Sequence, residues 1–82
     1  MIVVEDDILL RERILLPRLR EHGFCVSGCA TAAALHEAIA SARPDIIVLN
    51  LALPDADGFA LVRSLRAHMP AIGLVVLAAR RS

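Results

Sequence analysis

Acidic side chains and one amide stand where the chain turns from apolar to polar. Glu5, Asp6 and Asp7 follow the apolar run Met1 to Val4. Asn50 follows the run Ile46 to Leu49, and Asp55 and Asp57 lie in the loop beyond it. Oxygen donors grouped in this way suit a hard cation such as Mg2+. Clustered carboxylates repel unless a proton or a cation sits among them. Asn50 differs in kind from the acids. Its amide oxygen can still face a cation, but it is neutral and a poor nucleophile. The chemistry open to this set is cation ligation, not attack from position 50.

The elements that would hold these groups follow from the apolar pattern. Ile46 to Leu49 show no polar alternation, the habit of a strand buried on both faces in a parallel sheet. Met1 to Val4 is a second such run, and Phe24 to Gly28 a more polar one, expected at an edge. Residues 71–78 form a fourth, strongly apolar strand. Between them lie three helical stretches. Residues 8–22 place Ile8, Leu9, Leu15, Leu16 and Leu19 on one side, and Arg11, Arg13, Arg18, Arg20 and Glu21 on the other. Asp7 is their N-cap and Gly23 their stop. Pro17 lacks an N–H and crowds the carbonyl of Arg13, so a kink or break is expected there. Residues 32–42 follow Thr31 as cap, with Leu35, Ala38 and Ile39 inward. Residues 59–67 follow Asp57, with Leu61, Val62 and Leu65 inward. The order β-α-β-α-β-α-β implies right-handed crossovers and a parallel sheet with helices on both faces. In such a sheet, ligands collect at the carboxyl ends of the strands. Glu5, Asp6 and Asn50 meet there if their strands are neighbours.

Composition narrows the function classes. At 82 residues, the chain is one small domain, residues 1–82. Nine basic residues, all Arg, balance nine acidic ones, so no basic excess favours direct nucleic-acid binding. Phe24 and Phe59 are the only aromatics, so the core must be aliphatic. Cys25 and Cys29 on one strand would stand roughly 13 Å apart, too far for a disulfide, and read as reduced thiols of a cytoplasmic protein. No apolar run approaches the roughly 20 residues that span a bilayer, so no membrane role is expected. His22, His36 and His68 are scattered over helical segments and read as surface residues.

Val3-Val4-Glu5-Asp6-Asp7 and the stretch Asp45 to Gly58, which ends Leu53-Pro54-Asp55-Ala56-Asp57-Gly58, resemble the receiver domains of two-component response regulators. Leu74 to Arg80 resembles that family's fourth strand and the residues just after it. The resemblance implies a flavodoxin-like fold with strand order 2-1-3-4-5. It implies Mg2+ held by Glu5, Asp6, the side chain at position 50 and the backbone carbonyl of Ala52. It also implies a sensor histidine kinase as partner, with an effector or DNA-binding domain where the receiver is part of a longer chain. In the family, the residue at position 50 is an Asp that accepts the phosphoryl group, and a Ser or Thr at the end of the fourth strand bonds that phosphate.

This sequence departs from that pattern three times. Asn50 replaces the phospho-acceptor, so no catalytic residue is assigned. Ala78 stands at the switch position. The 82 residues hold no Lys and no counterpart of the last helix-strand-helix, so the expected sheet is 2-1-3-4 of a truncated receiver. Weak Mg2+ binding at most is expected, with no enzymatic activity. A bare fourth strand is expected to drive self-association. The expected role is signalling by protein–protein contact and dimerisation, with transcriptional output. A second reading joins Glu5 to Asp55 and Asp57 as a Mg2+ site resembling the Toprim fold of nucleic-acid enzymes. There the acid pair follows its strand directly, whereas Leu51 to Pro54 intervene here.

Overall fold

A computed structural model describes residues 1–77. Four parallel strands, β1 (Ile2–Val4), β2 (Ser27–Cys29), β3 (Ile46–Asn50) and β4 (Gly73–Leu77), form one sheet in the order β2-β1-β3-β4. The expected flavodoxin-like arrangement is therefore present across these strands. Ala78, the switch position, lies outside the described residues.

Strand β3 is central because it is apolar on both sides. Ile47 and Leu49 pack with Ile2, Val4, Leu35, Leu61 and Leu65 on one face, whereas Val48 packs with Val3 and Leu16 on the other. Val3, Val4, Leu35, Ile47 and Leu49 are fully buried, and burying each such side chain is worth roughly 1.5–3 kcal/mol. The core is aliphatic as expected, and both Phe24 and Phe59 are exposed.

Helix α2 (Ala32–Ser41) and helix α3 (Gly58–His68) cover the first face. Their caps are those the sequence indicates. The Thr31 hydroxyl accepts from the Ala34 N–H at 3.1 Å, and Asp57 accepts from the Phe59 N–H at 3.0 Å. Their inward residues agree too: Leu35, Leu61 and Leu65 are buried, and Ala38, Ile39 and Val62 pack against the same core. His22, His36 and His68 are all exposed.

The first helix differs from expectation. Pro17 neither breaks nor ends it. Residues Leu10–Leu15 instead form a widened π-helical segment that runs into helix α1 (Leu16–Glu21). The Leu16 N–H donates to the Arg11 carbonyl, five residues back. Pro17 then falls just after the widened turn, where the change from five-residue to four-residue spacing accommodates a residue without an N–H. The extra residue in the widened turn rotates the preceding residues by about 100°. Ile8 and Leu9, expected inward, are accordingly 62% and 60% exposed, while Arg11, expected outward, keeps only 12% of its side chain in solvent. Helix α1 ends at Gly23, whose φ of 89° suits a residue without Cβ. The Gly23 N–H bonds the Arg20 carbonyl and the Phe24 N–H bonds the Leu19 carbonyl, a Schellman closure.

Candidate functional site

Parallel pairing assembles the site. Val4 of β1 is in register with Leu49 of β3, so the next residues, Glu5 and Asn50, emerge side by side. Both side chains are buried, Glu5 at 3% and Asn50 at 8% exposure. The Asn50 Nδ2 donates to Glu5 Oε2 at 2.8 Å. Asn50 Oδ1 accepts from the Ala52 N–H at 2.9 Å. Each bond specifies the amide's orientation independently: a carboxylate needs a donor, and a backbone N–H needs an acceptor. Glu5 Oε2 also accepts from the Asp7 N–H at 3.1 Å.

The other acids divide among different tasks. Asp6 is exposed. Asp7 Oδ1 accepts from the N–H groups of Leu9 and Leu10 at 3.0 and 3.1 Å, the cap role the sequence indicates. Asp55 reaches across to α2. Its Oδ1 accepts from the Ala32 N–H at 2.9 Å and its Oδ2 from the Ala33 N–H at 3.1 Å. The Ala32 and Ala33 bonds, in that order of weight, hold the Asp55 carboxyl below the usual aspartate range. Asp57 caps α3. The acid pair is thus spent on two helix N-termini, and among the described residues no three His, Cys, Asp or Glu side chains gather as a metal cluster. The Toprim-like reading, which needs Asp55 and Asp57 beside Glu5, is corrected by this geometry.

Two contributors escaped sequence reasoning. The Arg11 Nη1 donates to the Glu5 carbonyl at 2.6 Å, while its Nε pairs with Glu12 at 3.0 Å. The stem of Arg11 crosses β2 at Gly28, where a Cβ would come within 2.9 Å of Arg11 Cδ. A glycine on the neighbouring strand was the only available signal. The second is Gly58. A Cβ there would strike the backbone of Leu51, including its carbonyl oxygen. That close approach, with the bridge between Ala52 and Asp57, folds the loop after β3 back on itself and sets the Ala52 N–H over Asn50.

Neither cysteine adds reactivity at this edge. Cys25 and Cys29 are free, as expected. Burial pushes the Cys29 thiol up, against the opposing pull of the Arg11 charge, so it stays protonated.

The family resemblance implies Mg2+ among Glu5, Asp6, Asn50 and the Ala52 carbonyl. The present donor set does not fit it. The group that Asn50 turns towards Glu5 is an NH2, which cannot ligate a cation, and its oxygen already serves Ala52. An amide turned this way brings no negative charge and faces Glu5 with a donor, so position 50 offers a cation less than a carboxylate would.

Comparison with known proteins agrees with the fold and the strand-end motifs. The Response regulator receiver domain profile matches residues 1–82. The transcriptional regulatory protein PmrA of Pectobacterium parmentieri is 36% identical over 80 residues, covering 98% of this chain and 36% of that protein. The transcriptional regulatory protein PhoP of Escherichia coli K12 is 33% identical over 82 residues, again covering 36% of its length. This chain therefore spans little more than a third of these relatives. Among solved structures, the MaeR response regulator bound to beryllium trifluoride superposes with a TM-score of 0.85 at 22% identity, over 99% of this chain and 67% of that one. A sensor protein from Polaromonas sp. JS666 superposes with a TM-score of 0.84 at 31% identity, over 96% and 64%. With its parallel 2-1-3-4 sheet and a profile match over its whole length, the chain belongs to the response regulator receiver domain family.

Proposed function

We propose that this chain is a single receiver-type signalling domain, residues 1–82, that is not phosphorylated and acts through protein–protein contact rather than catalysis. The observation that carries this reading is Asn50 at the carboxyl end of β3, hydrogen-bonded to Glu5. By family resemblance position 50 is the phospho-acceptor. An amide there lacks the anionic oxygen that would attack phosphorus, so no acyl phosphate can form at that side chain. A sensor histidine kinase remains a partner by surface contact. The relatives named as transcriptional regulators support transcriptional output through an effector domain in a longer chain, and a cytoplasmic location. Among the described residues, no helix is long and apolar enough to cross a membrane.

Signalling without phosphate needs another bias, and self-association supplies one. Strand β4 pairs only with β3 among the described strands. Val75 and Val76 point to opposite faces of it and remain 49% and 41% exposed. An apolar strand edge of this kind is a template for pairing, by a second copy or by a further strand of a longer chain.

The test of the reading is intact-mass analysis after incubation with acetyl phosphate and Mg2+. No adduct is expected. A stoichiometric phosphate adduct would overturn the assignment.

A further inference from the structure

We propose that the Asn50 amide takes the place of a cation at this strand end, tying β1 to β3 as a Mg2+-independent latch. The inference rests on the receiver reading above and deepens it by saying what holds the site together. Glu5 is buried at 3% exposure, and a buried carboxylate must be paired or hydrogen-bonded. Two donors meet its Oε2: the Asn50 Nδ2 from the neighbouring strand at 2.8 Å and the Asp7 N–H at 3.1 Å. The Arg11 guanidinium, paired with Glu12, holds the Glu5 backbone carbonyl at 2.6 Å and so fixes the position of this strand end. Both donors to the buried carboxylate are thus groups of the chain itself.

The amide cannot simply turn to admit a metal. Rotation by half a turn would set Oδ1 against Glu5 Oε2 and the NH2 against the Ala52 N–H. Both bonds would be lost, and each would be replaced by a repulsive contact. Cation entry therefore costs the latch and the seat of the loop after β3. An Asp at position 50 reverses the contact with Glu5. It has no donor for Glu5, keeps an acceptor for Ala52 and leaves two carboxylates facing each other across the strands, an arrangement that calls for a cation.

The experiment measures thermal unfolding by circular dichroism in millimolar MgCl2 and in EDTA, for the wild-type chain and for Asn50→Asp. The wild type is expected to melt at one temperature in both. Asn50→Asp is expected to melt lower than wild type in EDTA and to recover with MgCl2, because a ligand bound only to the folded state raises its stability. The Asn50 side-chain NH2 resonances of the wild type, followed by NMR through a MgCl2 titration, give a readout that does not depend on the variant folding, and no movement is expected. A rise in wild-type melting temperature with MgCl2, or saturable movement of those resonances, would overturn the latch. So would an Asn50→Asp variant that folds but gains no response to MgCl2. Binding of MgCl2 by the wild type without a phosphate adduct would remove this inference alone, whereas an adduct would remove the reading of a non-phosphorylated receiver beneath it.

Discussion

Gly58→Ala tests whether the loop after β3 is held by backbone contact. The added Cβ would lie 2.6 Å from Leu51 Cα and 2.8 Å from its carbonyl carbon, with the carbonyl oxygen nearer still. Relief to an ordinary 3.4 Å contact moves Leu51 from 2.6 Å by roughly 0.8 Å. The atoms struck are main chain, so no rotamer change absorbs the insertion, and the cost belongs at the upper end of overpacking, about 3 kcal/mol. The same shift strains the 2.9 Å bond from the Ala52 N–H to Asn50, adding about 1 kcal/mol. Improved helix propensity at position 58 returns at most about 1 kcal/mol. The net loss is about 3 kcal/mol, against a total of roughly 4–12 kcal/mol for a domain of 82 residues. A melting-temperature drop of about 10–25 °C is expected by circular dichroism. Gly73→Ala is the control. Its Cβ would meet Ile46 Cγ1 at 3.1 Å, a side-chain atom of a half-buried residue that can give way. Its cost should stay within about 0.5 kcal/mol. A Gly58→Ala chain that melts within about 2 °C of wild type, or a larger loss in Gly73→Ala, would refute the reasoning.

Two further outcomes rest on the same geometry. The Asp55 carboxyl is held low by the Ala32 and Ala33 N–H groups, so its stabilisation is complete above the unfolded aspartate pKa of about 3.9 and disappears as pH falls through the lower folded value. Side-chain carboxyl NMR should find its midpoint below the ordinary range, and Asp55→Asn should lessen the acid-induced fall in urea midpoint; an Asp55 that titrates at or above the ordinary value would contradict the cap. Sedimentation equilibrium at micromolar concentration should show dimers that Val75→Lys disperses, and a wild-type chain that stays monomeric would remove the β4 association.

Most of the local structure was legible because each signal is short-range. Period and branching marked β3 as a strand buried on both faces, and Ile47, Val48 and Leu49 are buried there. Asp7, Thr31 and Asp57 were readable as caps because a cap and its N–H partners lie within three residues. The first helix packs Leu15, Leu16 and Leu19 inward as expected, and was misread only in its opening turn. A constant 3.6-residue period was assumed, and the widened turn ahead of Pro17 changes that period once, moving Ile8, Leu9 and Arg11 together.

By itself the sequence determined which residues stand at the strand ends, that the core would be aliphatic, and that position 50 carries an amide instead of an acid. Tertiary structure decided how those groups are used. Asp55 caps a helix whose first residues lie 23 and 22 positions away in the chain, and Glu5 meets Asn50 across a separation of 45. No periodicity spans such distances. They are set by the pairing of β1 with β3 and by the close approach at Gly58, which present the Asn50 amide with a carboxylate on one side and an N–H on the other. With a donor required on the Glu5 side and an acceptor on the Ala52 side, the amide has one orientation that satisfies both.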